Sequence, residues 1–286
     1  MATRRRHPGR MLARAVLTPA QREHLEGLQL DDAGHGWDRF GASREGVAVA
    51  LSSVRHLYDR YFRVRSYGAE QIPRTGPTIV VANHSGTLPI DGMMLWADIL
   101  LRTSPPRLPR AVADHFVPGL PFINTFFSRA GMVPGSRANV RALLERGELL
   151  LLFPEGVAGI GKPASEAYRL QRWTVGHAEL AIRHRALVVP AAVIGAEEQW
   201  PQLGRIERVH PFGIPYLPIP ATPLPLPVRY RIHYGEPLAL HSSTAGDLAP
   251  EEADDPAVLR EAAERTKAAV AALIEQGLAA REGVFS

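Results

Sequence analysis

A chain of 286 residues with 45% hydrophobic and 22% charged residues lies in the range of soluble globular proteins and is long enough for one large core. Its formal charge of +4 points to an anionic partner such as a lipid headgroup or a phosphorylated substrate, and without the aromatic-basic interleaving of RNA-binding modules nucleic acid ranks last. No run approaches the ~18 apolar residues of a membrane span, and the absence of cysteine removes disulfides, thiolate metal sites and any cysteine-linked acyl intermediate.

Residues 1–36 mix Arg, Gly, Pro and Asp with weak periodicity and read as a basic extension, loosely docked or poorly ordered. Its arginine-rich start resembles the head of a signal peptide, but the apolar stretch that follows is brief and broken by Arg14, so a cytoplasmic protein is expected. From Ser43 to Arg65 the residues Val47, Leu51, Val54, Tyr58, Tyr61 and Phe62 recur at helical spacing with arginines among them. This is an amphipathic helix, packed on a core or lying on an anionic membrane.

Thr78 to Ala82 is a short apolar run that stops at Asn83-His84, and it reads as a buried strand whose end carries polar side chains. His84 titrates near neutrality when free, so it can take up a proton and return it. Asp91 is the carboxylate in this segment able to accept from the ring, since Ser, Gly, Thr, Leu, Pro and Ile lie between them. A loop histidine beside a helix-capping aspartate has the same pattern. Asp91 opens a helix through Met94 and Ile99 that Ser104-Pro105-Pro106 ends. A second strand, Arg110 to Ala113, leads to His115, which has no partner in the sequence and reads as structural.

A helix from Ser136 to Arg146 precedes the apolar run Glu148 to Phe153, which breaks off at Pro154-Glu155-Gly156. The same logic recurs at Leu187 to Ile194 before Gly195-Ala-Glu-Glu, with a helix expected around Glu166 to Arg185 between them. This alternation predicts an α/β fold with a mixed, largely parallel central sheet flanked by helices. Seven prolines in residues 211–227 exclude a central strand there and leave an apolar surface loop. Val228 to Tyr234 alternates as a strand, and Asp255-Pro256 with Gly277 brackets a terminal helix. One domain over 37–245 is expected, with residues 246–286 as a C-terminal helix packed on it.

Gly156 to Lys162 spells Gly-x-x-x-x-Gly-Lys, but Pro163 stands where a nucleotide-binding loop needs a hydroxyl for Mg²⁺. Glycines and a lysine at a strand end could still cradle phosphate. Gly-x-Ser-x-Gly is missing, which disfavours a serine hydrolase despite Ser85, and no histidine spacing fits a metal site.

In this order the blocks resemble the PlsC-type glycerolipid acyltransferases, which include the lysophosphatidic acid acyltransferases. Asn83-His84 with Asp91 matches the family's first motif, Phe153-Pro154-Glu155-Gly156 a later one, and Val189-Pro190 the last. The second is matched in part, by Gly119 through Ile123, with Thr125 where arginine is expected and Arg129 a helical turn later. The His84 to Asp91 linker is longer than the family's usual one and resembles that of a bacterial branch and of some neutral-lipid acyltransferases. The resemblance implies acyl transfer from acyl-CoA or acyl carrier protein, used as co-substrate with no other cofactor, to the hydroxyl of a lysophospholipid or other glycerolipid. His84 would be the general base and Asp91 would hold its ring. Glu155 and Gly156 would line the acceptor side, with Arg129, or more weakly Lys162, gripping phosphate. A diacylglycerol acceptor, or a lipid-binding protein without turnover, are the alternatives. The basic helix and the proline-rich loop are expected to hold the protein peripherally on an anionic membrane.

Overall fold

The apolar runs become the centre of a sheet because helices cover both of its faces. A computed structural model describes residues 8–32, 34–85, 89–113, 123–160, 162–206, 217–243 and 246–286. In chain order these form α1 (Pro8–Val16), α2 (Pro19–Glu26), α3 (Arg44–His56), β1 (Arg65–Tyr67), β2 (Thr78–Ala82), α4 (Ile90–Arg102), β3 (Pro109–Ala113), α5 (Ile123–Arg129), β4 (Val133–Pro134), α6 (Arg137–Leu144), β5 (Leu149–Leu152), α7 (Val157–Ile160), α8 (Gly176–Arg183), β6 (Leu187–Ile194), α9 (Ala196–Gln199), β7 (Gln202–Ile206), β8 (Leu217–Pro220), β9 (Arg231–Tyr234) and α10 (Pro256–Ala279).

The main sheet has the order β1-β9-β6-β2-β5-β3-β4. From β6 to β4 every neighbour is parallel, while β9 joins β6 antiparallel and takes β1 parallel at the edge. The expected mixed, largely parallel sheet is therefore present. Val80, Leu151 and Val189 stand side by side and face the helices that include α3 and α4. Ile79, Leu150 and Val188 face the opposite core with residues of α6, α8 and α10. Alternation at a period of two thus continues through strands that look uniformly apolar, because each face has its own core.

The N-terminal region is more firmly seated than its composition suggests. Thr18 and Gln21 form a capping box at the start of α2, and Leu17, Leu25 and Leu28 are buried in the same core as α3 and α4. In α3 the stripe Val47, Leu51 and Val54 points into that core. Arginines in α3 and in the segment after it have internal work: Arg44 donates to the Leu28 carbonyl at 2.9 Å, Arg55 pairs with Asp59 at 2.7 Å, and Arg63 donates to the Tyr61 and Pro227 carbonyls at 2.8 Å each.

Two predicted elements differ. The helix expected around 166–185 is confined to α8, and residues 168–175 run instead as an irregular strap across the strand ends, with Tyr168 at φ 63°. Gly277 does not end the last helix, which continues to Ala279; a Cβ at 277 would lie 2.9 Å from Ile194 and 3.1 Å from His233, so this glycine lets α10 approach β6 and β9 closely. Among the proline-rich residues, 207–216 lie outside the described residues. Leu217–Pro220 pairs with β7 in a separate two-stranded hairpin, where prolines are tolerated.

Candidate active site

Three adjacent parallel strands deliver the polar residues. β2 ends at Ala82 and hands on to Asn83-His84, β5 ends at Leu152 before Phe153-Pro154-Glu155, and β6 ends at Ile194 before Glu197. Asn83 closes the ladder with its side chain: its amide oxygen accepts from the Val193 N–H at 2.8 Å and its nitrogen donates to the Val193 carbonyl at 3.2 Å. The backbone is thereby free to turn away at His84.

The His84 ring meets Asp91, with Nδ1 2.6 Å from Oδ2. A carboxylate can only accept, so Nδ1 carries the proton and Nε2 presents its lone pair. Asp91, expected to cap α4, lies instead in its first turn, two residues after the N-cap Pro89, and divides its oxygens. Oδ2 also accepts from the Ser85 N–H at 2.9 Å, and Oδ1 accepts from the Gly92 N–H at 2.7 Å. The aspartate side chain has no exposure, whereas that of His84 keeps 14%, which leaves the ring reachable from solvent. Phe153 stacks on the ring, centroids 4.2 Å apart and planes 23° apart, and so fixes its orientation from the neighbouring strand.

Glu155 serves the same loop from beneath. Its Oε1 accepts from the His84 N–H at 3.3 Å and its Oε2 from the Gln171 N–H at 2.9 Å. Gly156 turns with φ +52°, in the left-handed region where a side chain is disfavoured. A Cβ at Gly159 would stand 2.9 Å from the His84 carbonyl and 2.9 Å from the Glu155 side chain. Gly156 therefore serves a tight turn and Gly159 the passage of α7 over His84.

The structure brings His84, Asp91, Glu155, Gly156 and Lys162 into one neighbourhood. Lys162 is buried, its ammonium 2.9 Å from Glu197 Oε1 and 3.5 Å from Glu155 Oε2. Arg129 lies elsewhere: its guanidinium donates to the Gly41 carbonyl at 3.1 Å and covers the Trp37 ring at 4.5 Å, contacts that belong to the entry to α3. His115 and Gly119 to Phe122 lie outside the described residues. Glu197 and Tyr168, neither marked by a motif, also belong here, the Glu197 carboxylate accepting from the Tyr168 N–H at 2.8 Å. The available signal for Glu197 was its place just beyond the third buried strand. Burial raises the Glu197 carboxyl, with Lys162 opposing the shift.

A family profile described as Acyltransferase matches residues 63–194, the stretch that runs from β1 through β6 and contains the dyad. An uncharacterized protein of Mycobacterium tuberculosis (strain ATCC 25618 / H37Rv) is 36% identical over 259 residues, covering 87% of this chain and 71% of that protein. The chain belongs to the acyltransferase family. A human protein described as DGAT1/2-independent enzyme synthesizing storage lipids is 29% identical over 246 residues, 84% of this chain and 68% of its own. Among solved structures, the 1-acyl-sn-glycerophosphate (LPA) acyltransferase PlsC from Thermotoga maritima superposes with a TM-score of 0.55 at 18% identity, covering 84% of this chain and 83% of that one. That likeness shows a shared fold.

Proposed function

We propose that this acyltransferase moves a fatty acyl group from a thioester, acyl-CoA or acyl carrier protein, to the hydroxyl of a glycerolipid such as lysophosphatidic acid, by general-base catalysis. The observation that carries the reading is the 2.6 Å contact between His84 Nδ1 and a fully buried Asp91, on a ring still open to solvent. His84 Nε2 takes the proton of the acceptor hydroxyl as its oxygen attacks the thioester carbonyl. The imidazolium that forms is held by Asp91 until the proton passes to the departing thiolate. A thiolate leaves readily, so the transfer proceeds without a covalent acyl-enzyme. Rate comes from holding two substrates together and from the base, which typically contributes ~10²–10⁴-fold.

The acceptor's class has support from both sides. The Thermotoga maritima neighbour is named for a lysophospholipid substrate and the human relative for storage lipids. The long His84 to Asp91 linker and the internal pairing of Lys162 favour giving diacylglycerol or another phosphate-free acceptor equal place beside lysophosphatidic acid. Contact with a lipid surface is assigned to the β7–β8 hairpin and the bend after it more than to α3 and the segment that follows, because Leu203 and Leu224 are 75% and 71% exposed while Arg44, Arg55 and Arg63 are engaged within the protein. No helix among the described residues is long and apolar enough to cross a membrane.

The test is thiol release from palmitoyl-CoA with lysophosphatidic acid, monoacylglycerol and diacylglycerol in turn. Wild type is expected to release thiol with at least one acceptor, and His84→Ala to lose ~10²–10⁴-fold in kcat. Asp91→Asn is expected to fall nearly as far. Equal rates in wild type and both variants would remove the dyad from the mechanism.

A further inference from the structure

We infer that Lys162 and Glu197 are positioning residues that hold Glu155, and through it the His84 loop, in register with Asp91. The inference rests on the general-base reading of His84 and replaces a phosphate-gripping role for Lys162.

The groups form one buried chain. His84 donates its backbone N–H to Glu155 Oε1 at 3.3 Å, and Glu155 Oε2 lies 3.5 Å from Lys162 Nζ. Lys162 donates to Glu197 Oε1 at 2.9 Å, and Glu197 Oε2 accepts from the Tyr168 N–H at 2.8 Å. Side-chain exposure is 0% for Glu155 and 4% for both Lys162 and Glu197. An ammonium has three hydrogens, and three acceptors surround this one: Glu197 at 2.9 Å, with Glu155 and the Arg169 carbonyl each at 3.5 Å. Among the described residues the ammonium thus faces the protein's own acceptors, with Glu197 the nearest.

Geometry also explains why the pairing bears on His84. Glu155 links the His84 N–H to that of Gln171, and Glu197 holds Tyr168 three residues earlier on the same strap. Lys162 sits between the two carboxylates and binds both, so the strap, α7 and the His84 turn are clamped at one point. Without the ammonium two buried carboxylates would face each other, and one would move or take up a proton. Glu155 would then loosen its hold on the His84 backbone. Small misplacement of a reacting group is costly: about 1 Å can lose about 10²-fold in rate.

Lys162→Met and Glu197→Gln would be assayed with the acceptor that supports turnover in the wild type. A positioning role predicts kcat lower by about 10–10²-fold, with KM for the acceptor unchanged, and faster amide exchange in residues 82–85, 90–92 and 168–172 while that of residues 107–112 stays as in wild type. Lys162→Met with Glu197→Gln in one chain is expected to lose less than the two single losses multiplied, because the double change removes both members of the pair. Glu197→Gln keeps its shape and serves if Lys162→Met does not fold. A raised acceptor KM with kcat held would restore the phosphate grip and overturn the inference. So would wild-type kcat and exchange in both variants. Loss of the base reading is seen separately, as full activity in His84→Ala.

Discussion

The two ends of the same sheet carry buried charge, and they use it differently. At the N-terminal ends of the strands Arg107 donates to the Pro73 carbonyl and Thr78 Oγ1 at 2.8 Å, and to the Gly76 and Gly147 carbonyls at 2.7 Å. Beside it Arg110, 1% exposed, binds Glu148 through Nε at 2.6 Å and also pairs with Asp38. These cations tie the starts of β2, β3 and β5 to the loop before α3. At the C-terminal ends one buried carboxylate, Asp91, binds an imidazole whose second nitrogen has no hydrogen-bond partner among the described residues. Burial of charge alone does not distinguish a site from a staple; an unspent, reachable atom does.

The largest effects should separate the two ends cleanly. His84→Ala should abolish most turnover while moving the thermal midpoint by only a few degrees, since Asp91 keeps the Ser85 and Gly92 N–H donors. Arg110→Met should do the reverse. It leaves Asp38 and part of Glu148 buried without a counter-charge, which typically costs about 3–5 kcal/mol, read as a lower urea midpoint, while the folded fraction keeps kcat within about twofold. If Arg110→Met lowered kcat as far as His84→Ala without loss of stability, the division of labour between the ends would be wrong.

A second contrast lies between two histidines. His84 has a carboxylate at Nδ1 and an open edge; His177 is 2% exposed and meets Trp173 edge to face at 5.6 Å. Burial pulls His177 down to about 4, with the Thr174 backbone opposing the shift. Its unfolded value is near 6.5, so between those limits the unfolded chain binds more protons than the folded one. The stability from this group is complete above about pH 6.5 and is lost as pH falls toward 4, by about 3 kcal/mol at most. Urea midpoints across that range should drop for wild type, and less for His177→Phe. Parallel curves would show that other groups govern the acid limb.

What the sequence made legible follows from how local each constraint is. His84 and Asp91 were readable because strand end, turn and helix start fit within a few residues, and the alternation of strands and helices predicted the sheet for the same reason. The strap at 168–175 was not. Its apolar spacing looks helical, but Glu155 and Glu197, carried by β5 and β6, take the N–H groups of Gln171 and Tyr168 and hold the backbone out of a helix. Lys162 looks available for phosphate in the sequence because its nearer carboxylate partner, Glu197 at 2.9 Å, lies beyond β6, 35 residues further along the chain. Arg129 matched a motif by order along the chain, yet its contacts are with Gly41 and Trp37. Partners distant in sequence decide whether a charged residue is available, and spacing does not report them.

The smallest expected effect tests whether the open end of the sheet is also the lipid-facing end. The β7–β8 hairpin is fastened there, Gln202 Nε2 donating to the Ile160 carbonyl at the end of α7 at 2.8 Å. On the hairpin Leu203, Ile206 and Ile219 remain 75%, 40% and 41% exposed, and Leu224 just after it 71%. A fully buried leucine gains about 1.5–3 kcal/mol, so partial insertion of two should contribute about 2 kcal/mol. Leu203→Ser with Leu224→Ser should weaken flotation with phosphatidylglycerol vesicles by about tenfold or more and leave thiol release from a soluble short-chain acceptor intact. Neutral vesicles should bind somewhat less than anionic ones, because Arg60, shortly after α3, and Arg65, at the start of β1, are exposed. Flotation unchanged in the double variant would move lipid contact away from the hairpin, while loss on anionic vesicles alone would make charge, and not apolar insertion, the dominant attraction.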